Sequence, residues 1–376
     1  MDGTKVSFMI NYFVNRNRYN PLLVMIRSGR YSTSGIKYFF VIMCCVFLVH
    51  KIQAQPIRVQ IVSDEAKGIL AVLEKKKKNQ AISDADWQNI FKSEGYIRLK
   101  KRELSFKRPF EDEDFKQFVL SDDLLRRFEL LKNTLLAWEK ANISDSARSA
   151  LKYLPKHSQI HAKIYPVIKP RENSFVFEVE ENPAIFLYLD PNVTKEQFEN
   201  NLAHELHHIG YGTACPSGET DAEIKRFSEE KQTVLKWTTG FGEGLAMLAA
   251  AGSPTTHPHK FSKLKDRERW DRDVQNFNQD LKKVEAFFMD VLAKRLTGDK
   301  INETAFSFFG TQGAWYTVGW KMSVVIEKTL GRKKLIEVFC DHRNLLRTYN
   351  EAVGKYNSKN KENLAAWSKE LISQLA

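Results

Sequence analysis

Residues 204–208 read His-Glu-Leu-His-His, and this short run constrains the chain more than any other stretch. On a helix of about 3.6 residues per turn, positions i and i+4 project from one face a turn apart. His204 and His208 can therefore present ring nitrogens to a single cation. Glu205 is rotated by about 100° from His204, which sets its carboxylate beside such a cation without ligating it. That is the position a general base needs to take a proton from water activated by a metal. His207 falls at i+3 and reads as a packing or hydrogen-bonding neighbour. Upstream, Asp190-Pro191-Asn192-Val193 forms a turn, and Thr194 with Gln197 three places on makes a capping box. The helix is expected to run through Phe198, Leu202, Glu205 and Ile209, with Gly210 and Gly212 ending it.

A catalytic zinc commonly takes three protein ligands and leaves one position open. His208 is not followed by a His-x-x-Gly-x-x-His extension or a nearby Gly-Thr-x-x-Asp string; Gly210 comes one place early and position 214 is Ala214. The strongest third ligand is Glu243, within Gly240-Phe241-Gly242-Glu243-Gly244-Leu245-Ala246. Small neighbours let its segment approach the histidine helix closely, and Ala246, Ala249, Ala250 and Ala251 continue that surface. His257 and His259 are rival ligands in a Pro-containing loop over 252–259 and read as facing solvent.

The text around this centre predicts an α+β chain, mostly helical, with a small sheet packed against the metal-binding helix. From Ser63 to Tyr153 apolar residues recur at three- and four-residue spacing, as in Leu124, Leu125, Phe128, Leu131 and Leu135. Ile160 to Ile168, Ser174 to Glu180 and Ala184 to Leu189 are short β-branched or aromatic runs that read as three strands. From Trp270 to Leu375 the pattern is helical again, notably over Val274 to Leu296 and Trp315 to Leu330.

Tyr38 to Val49 are twelve uninterrupted apolar residues, preceded by Arg27, Arg30 and Lys37 and followed by Ile52-Gln53-Ala54. This is the layout of a signal peptide cut after Ala54; a spanning helix needs about 20 apolar residues. A secreted or periplasmic location follows, with no stable membrane span after cleavage. Met25 is a second candidate start. The expected division is a leader over 1–54, a helical N-terminal lobe over 55–155, a catalytic core over 156–252 and a helical C-terminal lobe over 253–376. Half of the net charge of +12 lies in the leader, and the remainder is 51 Lys/Arg against 45 Asp/Glu. The runs Lys75 to Lys78 and Arg98 to Arg102 lack interleaved aromatics and read as solvated faces. No nucleic-acid partner is expected. Cys44 and Cys45 leave with the leader; Cys215 and Cys340 remain, and whether they pair is open.

The apolar strand, the His-Glu-Leu-His-His helix and the later Gly-Glu-Gly-Leu-Ala resemble the gluzincin branch of zinc metallopeptidases. More specifically, they are similar to an uncharacterised bacterial family of zinc-dependent peptidases; Tyr316-Thr317-Val318-Gly319-Trp320 fits the same family. The resemblance implies a zincin-like fold with Zn2+ held by His204, His208 and Glu243, Glu205 as catalytic base, and a peptide or protein substrate. It also implies that the strand over Ala184 to Leu189 offers its edge to an extended peptide. Many gluzincins have Asn where this chain has Gly242, and an acidic residue where it has Met247. A donor for the developing oxyanion is sought among Tyr316, Tyr211 and His342, with Tyr316 leading. Two alternatives stand beside a peptidase: a zinc amidohydrolase acting on a non-peptide amide, and a non-catalytic binding protein that keeps the fold.

Overall fold

A computed structural model describes residues 56–376 apart from 180, 216, 217, 311 and 312. The expected leader, with its cleavage site, lies outside the described residues. Among those described, no helix is long and apolar enough to cross a membrane.

The chain opens with β1 (Ile57–Ile61) and six helices: α1 (Asp64–Lys77), α2 (Asp84–Phe91), α3 (Glu94–Ser105), α4 (Asp112–Val119), α5 (Asp122–Glu139) and α6 (Ile143–Leu151). Strands β2 (Ile160–Val167), β3 (Phe175–Phe177) and β4 (Ala184–Tyr188) lead into α7 (Lys195–Ala214). Then come α8 (Gly218–Ile224), α9 (Glu229–Thr238), α10 (Gly242–Ala251), α11 (Leu264–Gln275), α12 (Phe277–Leu292), α13 (Asp299–Ser307), α14 (Ala314–Leu330), α15 (Arg332–Cys340), α16 (Leu345–Asn360) and α17 (Lys369–Leu375). The α+β expectation holds in this form: mostly helix, with one four-stranded sheet.

The sheet runs in the order β1-β2-β4-β3, with β1, β2 and β4 parallel and β3 antiparallel to β4. Successive side chains of a strand face opposite ways, and here both faces are covered. Ile160, Ala162, Ile164, Ile185 and Leu187 join α1, α5, α6 and the inner face of α7 in one core. Tyr165, Val167, Ala184 and Phe186 pack with Phe175, Phe177 and Leu99 of α3 in another. A strand buried on both faces reads as a continuous apolar run, which is why β2 and β4 stand out in the sequence. The third core lies among the helices from α9 onward, around Trp237, Phe241, Phe288, Trp315 and Trp367.

Four expectations need correction. The sheet has a fourth strand, β1, whose alternating half-covered residues Ile57, Val59 and Ile61 pair with Ile160, Ala162 and Ile164. β4 is an inner strand: β3 covers Ala184 to Phe186, and beyond it Ser174 Oγ accepts from Tyr188 N at 3.1 Å. The edge expected of β4 therefore belongs to β3. Helix α7 passes through Gly210 and Gly212 and ends at Ala214, capped by extended Cys215. A Cβ on Gly210 would meet Leu154 Cδ1 at 2.3 Å, so this glycine serves close packing rather than termination.

The last correction concerns the basic runs. Lys75 to Lys78 each pair with a carboxylate near the surface. Arg98 and Arg102, by contrast, are buried. Arg98 reaches Tyr165 Oη at 3.1 Å and Glu178 at 2.7 Å, while the Arg102 guanidinium pairs with Glu103 between the rings of Phe106 and Phe175. Cys215 and Cys340 form a disulfide that ties the end of α7 to the end of α15.

Candidate metal centre

Three helices meet at the His-Glu-Leu-His-His segment. The apolar stripe Phe198, Leu202, Leu206 and Ile209 buries one face of α7 against the sheet and α6. His204, Glu205 and His208 are left partly accessible on another side. Onto α7 packs α10, and onto α10 packs α14, which carries Tyr316. Asn200 Nδ2 donates to Ala250 O at 3.1 Å, fastening α7 to the last turn of α10.

Glycines let α10 and α14 cross at backbone contact. A Cβ on Gly244 would lie 1.9 Å from Trp320 N and 2.2 Å from Gly319 C; one on Gly319 would lie 2.5 Å from Phe241 O. No side chain fits at either point. The crossing holds Glu243 and Tyr316 on adjoining turns beside α7.

The three expected ligands come together. His204 Nε2 lies 3.1 Å from Glu243 Oε2, His208 Nε2 lies 3.5 Å from the same oxygen, and the two Nε2 atoms are 3.0 Å apart. Glu243 is fully buried, and the two rings are mostly covered. Burial acts to raise the Glu243 carboxyl, but the imidazoles of His208 and His204 outweigh it and hold the group well below the usual carboxylate range. The donor set is two imidazole nitrogens and a carboxylate oxygen. Tetrahedral zinc with bonds of about 2.0–2.2 Å places neighbouring ligand atoms about 3.3 Å from one another. The three separations here straddle that value, so the residues fit zinc. Among the described residues this is the one group with such donors gathered together.

His207 stands apart. It is fully buried, its Nε2 lies 3.3 Å from Tyr153 O, and burial above all lowers its pKa to about 3. A neutral ring that anchors α7 to the end of the N-terminal helices is the consequence. Tyr316 is 5% exposed and its ring stacks on His204 at 6.3 Å between centroids, tilted by 18°. Burial first, then the facing carboxylates of Glu243 and Glu205, push its hydroxyl well above the ordinary tyrosine value. It therefore stays protonated as a hydrogen-bond donor. The other oxyanion candidates lie elsewhere: Tyr211 donates to Phe339 O, and His342 begins a short 3-10 turn away from the cleft. His257 pairs with Asp271 at 3.1 Å, and His259 is held 3.1 Å from Ser262 Oγ; neither joins the metal group, and His259 is buried rather than facing solvent.

A cleft of about 310 Å³ opens over the centre. His204, Glu205 and Tyr316 lie in it, and it extends along α7 past Asn201 and Asn200 to Gln197. Ser174, Leu187 and Tyr188 from the end of the sheet line one side and residues 259–269 another. Met247 also lines this cleft. Sequence reasoning missed Asn200 as the fastening to α10 and Gly319 as the partner of Gly244. The small residue inside Tyr316-Thr317-Val318-Gly319-Trp320 was the available signal for the second.

A family model described as "Putative zinc dependent peptidase (DUF5700)" matches residues 65–358. No curated protein and no solved structure matches the chain.

Proposed function

Because this chain belongs to the DUF5700 family, described as "Putative zinc dependent peptidase", we propose that it is an exported, zincin-like zinc peptidase that hydrolyses peptide bonds with Glu205 as general base. His204, His208 and Glu243 would hold the metal. One observation carries the reading: donor atoms from two separate helices, one of them an oxygen of a buried carboxylate, converge at 3.0, 3.1 and 3.5 Å.

Zinc, when bound, supplies Lewis acidity that polarises the scissile carbonyl and eases deprotonation of water. Glu205, on the cleft wall next to His204, accepts the proton of the attacking water and returns it to the leaving amine. Tyr316 donates its retained proton in a hydrogen bond to the carbonyl oxygen as negative charge gathers there. The disulfide between Cys215 and Cys340 supports an oxidising compartment, in keeping with export.

Metal analysis of the purified protein tests the reading together with Glu205→Gln. About one zinc per chain is expected, lost in His204→Ala and His208→Ala. Glu205→Gln should keep the metal while peptide turnover falls by about 10²- to 10⁴-fold. A parent protein without zinc, or histidine variants with unchanged zinc, would sink it.

A further inference from the structure

The cleft has one cationic wall. Residues 259–269 supply His259 and Ser262 from the loop after α10, then Lys263, Lys265, Asp266 and Arg269 around the start of α11. Asp266 and Arg269 approach to 3.4 Å and offset each other. Lys263 and Lys265 are both exposed, and among the described residues neither has an ion-pair partner. The four lysines of Lys75 to Lys78 behave otherwise, each being paired. Two ammonium groups without an ion-pair partner thus line the cleft together with Ser174, Tyr188, Asn192, Gln197 and Asn201, which carry no charge, while its carboxylates besides Asp190 stand elsewhere: Glu205 at the metal centre and Asp266 against Arg269. Asp190 accepts from the Asn192 backbone at 2.8 Å and from its side chain at 2.9 Å.

A fixed charge set among neutral groups pairs with an oppositely charged ligand group and fixes its register. We propose that Lys263 and Lys265 make this cleft selective for acidic peptides, by pairing with a substrate carboxylate between the metal centre and the N-terminal end of α7. The inference rests on the peptidase reading above and adds a substrate class to it. Two sources supply the same chemistry: an Asp or Glu side chain, or the free carboxylate at the end of a peptide. The second would make the enzyme trim chain ends, the first would let it cut within chains.

The test uses fluorescent peptides identical except for Glu, Gln or Lys at successive positions around the scissile bond, each with a free or an amidated C-terminus. The ratio of kcat/KM for Glu over Lys peptides is compared at low and high ionic strength. It is measured for the parent, for the double variant Lys263→Glu/Lys265→Glu, and for Lys300→Glu/Lys359→Glu, which makes the same charge change outside the cleft. A ratio of roughly 3 to 30 is expected in the parent at low salt, shrinking as salt screens the pair. It should invert in the cleft variant and persist in the remote one. Dependence on the amide cap alone would assign the carboxylate to the peptide terminus. An equal ratio in parent and cleft variant overturns the proposal while leaving the peptidase standing. Binding of the same peptides, followed by anisotropy, separates the two failures: charge-selective binding lost in the cleft variant, without cleavage of any peptide, would keep the cationic wall and remove the peptidase.

Discussion

Gly244→Ala should damage stability and the metal centre together. The added Cβ would lie 1.9 Å from Trp320 N and 2.2 Å from Gly319 C. Carbon and its neighbours settle at about 3.5–4.0 Å, so α10 and α14 must separate by roughly 1.5 Å. The obstructing atoms are backbone in the middle of a buried helix, and no rotamer change can relieve them. Overpacking of a close-packed core costs about 1–3 kcal/mol, and the upper end applies where only a helix shift makes room. Glu243 is the preceding residue, so the same shift pulls its carboxylate away from His204 and His208. Displacement of a positioning group by about 1 Å can cost about 100-fold in rate. Gly354→Ala is the matched control: Gly354 lies on the exposed side of α16 with nothing within 4 Å of a new Cβ. It should stabilise by about 0.4–1 kcal/mol through the unfolded chain and helix propensity. Urea unfolding with comparison of midpoint and slope, zinc content and kcat/KM on a cleaved peptide read all three effects. A Gly244→Ala protein with the parent's midpoint and zinc, or a pair of variants shifted alike, would refute the claim that this crossing positions the third ligand.

Tyr316→Phe should retain zinc and lower kcat by about 10²- to 10³-fold, the loss typical of one oxyanion donor; unchanged kcat would remove Tyr316 from the reaction. Replacing Cys215 and Cys340 together by Ser opens a link between residues 125 apart in sequence and should cost about 2–5 kcal/mol in denaturant unfolding, with no loss if the pair stays reduced in the native protein. Glu65, buried beneath Ile168, has its pKa raised from 4.5 to about 8 by burial, against the lowering influence of the Ile168 N–H and of Lys169. The folded state therefore holds a proton that the unfolded chain releases above its ordinary value. Its contribution to stability is full below pH 4.5 and declines as pH rises to about 8, by at most about 1.4 kcal/mol per unit. Lys169, lowered by burial to about 7, gives the opposite slope only above that pH. Glu65→Gln should flatten the decline between about pH 5 and pH 7, and an unchanged pH dependence of the unfolding midpoint would count against a buried neutral Glu65.

Local pattern and long-range geometry differed in how far the sequence could be read. The histidine helix was legible because its chemistry is local: ligand spacing, Thr194 cap and apolar stripe all sit within one turn-to-turn repeat. Strands β2 and β4 were legible because burial on both faces leaves an unbroken apolar run. β1 carried a clean alternation, Ile57-Arg58-Val59-Gln60-Ile61, but five residues before a helix say nothing of a partner at 160–164. Strand order, and with it which strand keeps a free edge, depends on such distant pairings and has no local signature. The buried arginines were misread for a related reason. A basic run looks solvated until the strand that supplies Phe175 and the turn that supplies Glu178 fold over it.

Glycine is where the two levels meet, and where composition alone misleads most. Gly210 and Gly212 near the end of an amphipathic stretch look like a stop signal, yet the helix continues, because Leu154 and Ile160 occupy the space a Cβ at 210 would need. Gly242 and Gly244 around Glu243 look like a bend, yet they lie within the first turn of α10, and Gly244 touches backbone across the crossing. The same residue type that lowers helix propensity by about 1 kcal/mol is retained inside helices wherever two backbones must approach. Three of these positions, 210, 244 and 319, lie on the path that links the sheet to α7, α7 to Glu243 and Glu243 to Tyr316. Alanine at Gly319 meets Phe241 O at 2.5 Å from the other side of the same crossing. Gly319→Ala should therefore lose zinc affinity in parallel with Gly244→Ala, and the double variant should lose less than the sum, since one helix separation relieves both clashes.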